Sequence, residues 1–297
     1  MPKICYVPKT FSAASTERID HANAIIKEYE SQGFKLTLRQ LYYQFVSRDL
    51  IPNTVQSYKN LGSVVNDGRL AGLIDWDAIE DRTRNLRSLV SWGGPGEIVL
   101  ACASQFRTDR WKGQPHYCEV WIEKDALVGI IEGVCKEFRV PFFACRGFTS
   151  QSEMWGAAMR LVEIENDGRE THIIHLGDHD PSGIDMTRDI QDRLALFGSA
   201  VTVNRIALTE EQVGEYDPPP NPAKTTDSRY AAYERQYGDK SWELDALEPR
   251  VIVDLIRATV EGLLDPKLWR KGARKEKTGR LQLQKVAWNW TEVIKSL

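Results

Sequence analysis

In "HIIHLGDHDPSG", residues 172–183, two aspartates stand two apart in one turn that contains no Lys or Arg. The apolar run Ile173, Ile174, Leu176 reads as a strand that breaks at Gly177, so Asp178 and Asp180 follow its C-terminal end. In extended backbone, alternate residues point the same way. Glu123 closes a second apolar run, "HYCEVWIE". Three carboxylates from two strand ends form a set of hard oxygen donors, and with no cysteine among them they suit Mg²⁺ or Mn²⁺ better than zinc. A plainer role exists for part of this set. Asp180 directly precedes Pro181, the pattern of a helix N-cap followed by proline at the first helical position, so capping alone accounts for it. Asp178 has no such local role, and for Glu123 the plain alternative is a strand-end residue in water. His179 is expected to project away from both aspartates as an exposed turn residue, and His172 and His175 read as strand residues.

A second reactive group lies in "LRQLYYQF". Leu38, Leu41, Tyr42 and Phe45 fall at i, i+3, i+4 and i+7, the stripe of a helix that packs inward. Tyr42 is therefore expected in the core. Tyr43 lies about 100° further round the helix, on the side of Arg39, its i−4 neighbour, and is expected to be the free phenol. A phenol with a pKa of about 10 needs help to act as a nucleophile. A neighbouring guanidinium favours phenolate or steadies a phosphate.

The elements that must position these groups change character along the chain. Residues 15–31 carry Ile19, Ala22, Ile25, Ile26 and Tyr29 at helical spacing up to Gly33. A second helix follows Thr37 as N-cap, and a third follows Asn53 or Thr54. "LIDWDAIEDRTRN" then reads as a short strand and turn. Three helices and a small β element are the layout of a winged helix-turn-helix, in which one helix enters a DNA groove. Lys59 and Arg69 of the third helix, with the following "RTRNLR", point to DNA; a plain helical bundle is the alternative. "SWGGPGE", residues 91–97, lacks the Lys-Ser/Thr ending of a phosphate loop and reads as a linker. It divides a winged-helix domain, residues 1–92, from residues 93–297.

Beyond it, strands at "HYCEVWIE", "VPFFAC", "THIIHLG" and "AVTVNRIAL" alternate with helical stretches. That rhythm predicts βαβ units and a parallel sheet, with strand C-termini along one edge where ligands bind. C-terminal helices follow the "DPPPNP" break, including the cationic "KLWRKGARKEKTGR", which reads as a solvated helix face or a DNA contact near Trp269, Trp288 and Trp290. The predicted class is thus α/β.

Composition narrows the functional classes. With 297 residues, 42% hydrophobic and 27% charged, the chain can bury a sizeable core. No apolar stretch approaches the roughly 20 residues of a membrane span, and no secretory apolar segment opens the chain. A cytoplasmic, nucleoid-associated protein is expected. Cys5, Cys102, Cys118, Cys135 and Cys145 are scattered, without the spacing of a zinc site or a disulfide framework. The formal net charge of −3 means that nucleic-acid binding would rest on local patches.

"VWIEKDAL", "RGFTS" and "IIHLGDHDPSGID", in this order at successive βα junctions over roughly residues 117–207, resemble the Toprim fold. With "LRQLYYQ" upstream and "WELDAL" downstream, the chain more narrowly resembles the DNA topoisomerase VI A subunit and the related meiotic double-strand-break transesterases. The resemblance implies that Glu123, Asp178 and Asp180 hold Mg²⁺, with Mn²⁺ able to substitute. It implies that the second tyrosine of the aromatic pair, Tyr43, attacks double-stranded DNA, leaving a 5′-phosphotyrosyl link and a free 3′-hydroxyl. It implies further that tyrosine and metal site come from different protomers of a homodimer, and that strand passage would need a separate ATPase B-type subunit. Lys124 and Arg146, beside the motif residues, become candidate phosphate contacts. Two other functions remain open on sequence: a Toprim nuclease using metal-activated water with Tyr43 merely structural, and a non-catalytic DNA-binding protein whose acidic turn only caps a helix.

Overall fold

The computed structural model describes residues 3–79, 89 and 91–295. Its first helices are α1 (Ala13–Ser31), α2 (Leu38–Ser47) and α3 (Val55–Leu70). Each start is fixed by a side-chain cap. Ser12 accepts from the Ser15 N–H, Thr37 forms a capping box with Gln40, and Thr54 rather than Asn53 caps α3. Ile19, Ala22, Ile25, Ile26 and Tyr29 of α1 are buried against Leu41, Tyr42 and Phe45 of α2 and Leu61 and Val65 of α3. Each such aliphatic side chain contributes about 1.5–3 kcal/mol. Of the expected β element, the described part makes only one isolated bridge, Leu36 with Ile79, and a second bridge, Cys5 with Ala71, lies just before it. "RTRNLR" (82–87) lies outside the described residues.

The Gly/Pro stretch at 91–97 is only half a break. Gly94 N-caps α4 (Pro95–Gln105), which packs along α11 (Pro266–Trp288). Gly279 permits that packing, because a Cβ there would overlap the Phe106 ring.

Next come β1 (His116–Ile122), α5 (Val128–Phe138), β2 (Phe142–Ala144), α6 (Gln151–Asn166), β3 (Glu170–Leu176), α7 (Pro181–Leu196) and β4 (Thr202–Ala207). These strands form a parallel sheet in the order β2-β1-β3-β4. The fold class is α/β. Period-two alternation divides the strand residues between two cores. Cys118, Val120, Ile122, Ile174 and Leu176 face Ile131 and Val134 of α5 and Ile252, Ile256 and Val260 of α10 (Pro249–Leu263). On the other face, Trp121 and Ile173 meet Met154 and Leu161 of α6 and Met186, Ile190 and Leu194 of α7. Helices therefore cover both faces. After β2 the chain crosses back past β1 to reach β3, so strand order reverses between β1 and β3. This is the point where an open parallel sheet leaves a crevice at its C-terminal edge.

Between β4 and α10 lie α8 (Glu210–Tyr216), α9 (Tyr230–Tyr237) and a two-residue ladder of β5 (Asn221–Pro222) with β6 (Lys240–Ser241). The segment that follows, 242–248, clasps the N-terminal helices. Ala246 is buried in their core, and Glu248 accepts a hydrogen bond from the Tyr29 hydroxyl. The chain ends in α11 and α12 (Trp290–Lys295). Among the described residues, no helix is long and apolar enough to cross a membrane.

Candidate active site

Glu123 and the acidic turn meet at the crevice between β1 and β3. The Glu123 N–H donates to the Leu176 carbonyl at 2.8 Å, which extends the sheet register past β1. Its Oε2 accepts the Asp178 N–H at 2.9 Å. Gly177 makes this contact possible, since a Cβ there would sit 3.0 Å from Glu123 Oε2 and 3.3 Å from Arg205 Nη1. Gly183 has a similar reason: a Cβ would overlap the Asp178 carbonyl. Asp180 caps α7, its Oδ1 accepting from the Gly183 N–H at 2.6 Å. The spacing of "GDHDPSG" is therefore that of one tight strand-to-helix turn.

Asp178, which capping does not explain, has two partners from distant sequence. Its Oδ1 accepts the Leu244 N–H at 2.8 Å, and its Oδ2 pairs with Lys124 Nζ at 2.8 Å. Lys124 also pairs with Glu243 and, at 3.5 Å, with Asp245. Arg39 reaches the same two acids, Glu243 at 2.6 Å and Asp245 at 2.8 Å. A partly buried ion network thus joins α2, the end of β1, the turn after β3 and the segment 243–245. Burial works to lower the Lys124 pKa, but Asp178, Asp245 and Glu243 outweigh it and hold the ammonium charged. Burial pushes Asp178 up to about 7 against the pull of Lys124, with Glu123 and Glu243 adding to the rise. Glu123 is raised as well, by burial and by the charge of Asp180, against the Asp178 N–H and Lys124.

Arg39, Tyr43, Glu123, Lys124, Asp178 and Asp180 line one cleft of about 670 Å³. Tyr42 is in the core as expected, its hydroxyl donating to Asn53 Oδ1 at 2.9 Å and lying 3.1 Å from the Thr54 carbonyl oxygen. Tyr43 is not the free surface phenol that helix periodicity predicts. It is equally buried, 5% exposed, because the segment 244–246 covers the side of α2 that the apolar stripe leaves open. Its ring edge meets Tyr42, and the Arg39 guanidinium lies 5.8 Å from its centroid. Burial and the charge of Glu243 push its hydroxyl up to about 12, against Arg39 and Lys124. Within this single chain, Tyr43 and the acids line the same cleft.

Other sequence-derived assignments need correction. His179 is 1% exposed, not a solvent-facing turn residue. It lies among Tyr233, Tyr237 and Trp242, with its Nδ1 2.8 Å from the Tyr233 hydroxyl. Burial and Arg205 push it down to about 4. Lys124, the candidate phosphate contact, is paired with acids of the cleft. Arg69 turns inward to the carbonyls of Trp76 and Ile79 and stacks on Trp76, so it closes a loop rather than facing DNA. Lys59 is exposed on α3. Arg146 is exposed and paired with Asp125 at 3.0 Å. His175 lies within β3 as expected, buried and bonded to Thr187, and pushed down to about 3 by burial and Arg205.

Three site residues were not singled out from sequence. Glu243 and Asp245 come from "WELDAL", where two acids alternating with apolar residues are the only local signal. Arg205 of β4 is nearly enclosed and donates to the carbonyls of Gly177, Asp178 and Gly183 at 2.9, 2.6 and 2.9 Å. It clamps the turn. A lone arginine inside an apolar strand was its signal.

The donor set fits Mg²⁺ at two positions of the expected three. The hydrogen bonds of Glu123 and Asp180 use one carboxylate oxygen each, and Asp180 raises Glu123, a repulsion that a divalent cation between them would relieve. Both oxygens of Asp178 are committed, to Lys124 and Leu244. Among the described residues, the only His, Cys, Asp or Glu trio whose ligand atoms all lie within 4.8 Å of one another is elsewhere, at His116, Glu170 and His172. Comparison with protein-family models, curated proteins and solved structures finds nothing that matches this chain.

Proposed function

We propose that this protein is a Mg²⁺-dependent enzyme that cleaves DNA by transesterification at Tyr43, with α1–α3 as a winged-helix module and the sheet as a Toprim-like one. The observation that carries this reading is the cleft itself. A tyrosine, the strand-end Glu123 and the helix-capping Asp180 line one cleft beside the switch point of the sheet, together with Arg39 and Lys124. Phosphoryl transfer needs a nucleophile in line with the phosphate and positive charge around its oxygens. Mg²⁺ held by Glu123 and Asp180 would supply charge opposite those oxygens.

The chain's own residues account for the remainder. The Tyr43 oxygen bonds to phosphorus and loses its proton, while the bond from phosphorus to the 3′-oxygen breaks and that oxygen leaves as a hydroxyl. Arg39 opposes the burial that keeps the phenol protonated. A phosphate competing with Glu243 for Arg39 and Lys124 would bring both cations onto the substrate. DNA as the substrate is supported by α11, where Lys267, Arg270, Lys271, Arg274, Lys275 and Lys277 are all exposed. At about 100° per residue these cations fall within an arc of about 160°. Glu276, the one acid of α11, is buried on the opposite side. Such a stripe matches the spaced charges of a phosphate backbone. Both halves of the cleft belong to one chain, so a homodimer and an ATPase partner are extensions that cleavage itself does not require.

The burial of Tyr43 and its raised pKa favour a second reading, hydrolysis by a metal-activated water with Tyr43 structural. Labelled duplex DNA incubated with Mg²⁺ and quenched in detergent separates the two. Transesterification predicts a covalent protein–DNA species in wild type that Tyr43→Phe abolishes together with cleavage. Cleavage that persists in Tyr43→Phe without an adduct establishes the hydrolytic reading. If wild type neither cleaves nor forms an adduct, yet binds duplex DNA, the protein is a binding module.

A further inference from the structure

The cluster at the opposite end of the sheet is independent of the cleft. His116 opens β1 and Glu170 opens β3, and the two are directly paired in the parallel register, with Cys118 paired to His172. Because alternate strand residues share a face, His116, Glu170 and His172 all project from the same side. His116 Nδ1 lies 3.2 Å from His172 Nε2 and 3.3 Å from Glu170 Oε2. Zinc bonds of about 2.0–2.1 Å to nitrogen and oxygen imply a tetrahedral edge of about 3.3 Å, so both separations are those of adjacent ligands around one ion.

We propose that His116, Glu170 and His172 form a binding site for a divalent transition-metal ion of the zinc type. Two imidazoles and one carboxylate suit zinc and its neighbours and are a poor set for Mg²⁺, which takes oxygen ligands. The site is open on one side. The Glu170 side chain is 76% exposed and that of His116 29% exposed, which leaves room for a water as fourth ligand. Its position sets its role, since an ion there pins the first residues of β1 and β3 together at the end of the sheet remote from Glu123 and Asp178. It is a cross-strand staple, and it acts whether or not the cleft cleaves DNA.

Co²⁺ titration of the full chain tests this, because Co²⁺ replaces zinc and reports its ligands by visible absorption. The expected result is one equivalent bound with the intense visible bands of a four-coordinate nitrogen and oxygen site, displaced by Zn²⁺. His116→Ala should lose this binding. Glu170→Gln, at a solvent-facing position that does not threaten folding, should weaken it by about tenfold or more. Zn²⁺ should raise the melting temperature of wild type and not that of His116→Ala. Equal affinity in wild type, His116→Ala and Glu170→Gln would overturn the proposal. So would the near-ultraviolet charge-transfer band of a cobalt–thiolate bond, which would place the ion on a cysteine.

Discussion

Around Glu276 one carboxylate meets three guanidiniums, those of Arg280 at 2.6 Å and of Arg110 and Arg139 at 3.3 Å each. In the cleft the balance is reversed. Arg39, Lys124 and Arg205 stand against Glu123, Asp178, Asp180, Glu243 and Asp245. The titration of the acids differs between the two regions. Burial works to raise Glu276, but the Thr108 N–H and Arg110 outweigh it and hold it below the usual carboxylate range. In the cleft, burial first of all raises Glu123 and Asp178, while at Glu243 burial is outweighed by Lys124 and Arg39, which lower it. At Glu276 the fold has settled its charge, and the network ties α11 to the segment before β1 and to the end of α5. In the cleft it has buried carboxylates that outnumber their cations, and raised carboxylates in a cleft are candidates for a functional role.

The two regions should therefore answer the loss of a carboxylate charge in opposite ways. Glu123→Gln keeps an acceptor for the Asp178 N–H and removes the charge that raises Asp178, so the melting temperature should hold or rise slightly while DNA cleavage falls by about 10³-fold, the order of one lost charge-stabilising group. Stability lost in step with activity would make Glu123 a structural residue and erase the contrast. Glu276→Ala leaves three guanidiniums around an empty position. Breaking a fully buried pair costs about 3–5 kcal/mol. These arginines reach solvent in part, so a loss of about 2 kcal/mol is expected in denaturant unfolding, with cleavage per folded molecule unchanged.

Sequence patterns carried the contrast only partway. The rhythm of strands and helices, the caps at Thr37 and Asp180, and Glu123 at its strand end were all legible, because each is set by neighbours within a few residues. Helix periodicity puts Tyr43 on the side of α2 that bears Arg39 but points it to solvent, where the structure buries it. What buries it is the segment 244–246, some 200 residues on. His179 was misplaced for the same reason, since α9 and Trp242 cover it. The helix α4 went unseen because only Ala103 of its residues is buried and its partner is α11. Glu243 and Asp245 read as two acids of a helical region, and nothing local reveals that Arg39 and Lys124 wait for them.

A smaller effect separates the cationic outer face of α11 from its buried inner face. Lys271→Ala with Lys275→Ala should weaken duplex binding by about tenfold near physiological salt and reduce the slope of log affinity against log salt by about 2, as two lost phosphate contacts require. An unchanged slope would mean that the stripe is only a solvated surface. Neither substitution touches Glu276, so thermal stability should not follow.

The finest test lies within the acidic turn, where neighbouring residues titrate in opposite senses. Asp178 has a native pKa of about 7 against an ordinary 3.8. As pH rises from about 4 to 7 the unfolded chain gives up a proton that the native state keeps, so the Asp178 contribution to stability falls with rising pH. His179 has a native pKa of about 4 against an ordinary 6.5. As pH falls from 6.5 towards 4, the unfolded chain takes up a proton that the native state refuses, and its contribution falls with falling pH. Over pH 4.5–6.5 the two slopes oppose each other in wild type. Asp178→Asn removes the first and leaves the second, so urea unfolding of this variant should lose stability towards acid more steeply than wild type, by an amount on the order of 1 kcal/mol across the window. Parallel curves would mean that Lys124 holds Asp178 ionised throughout. The excess negative charge of the cleft would then rest on Glu123 and Asp180 alone.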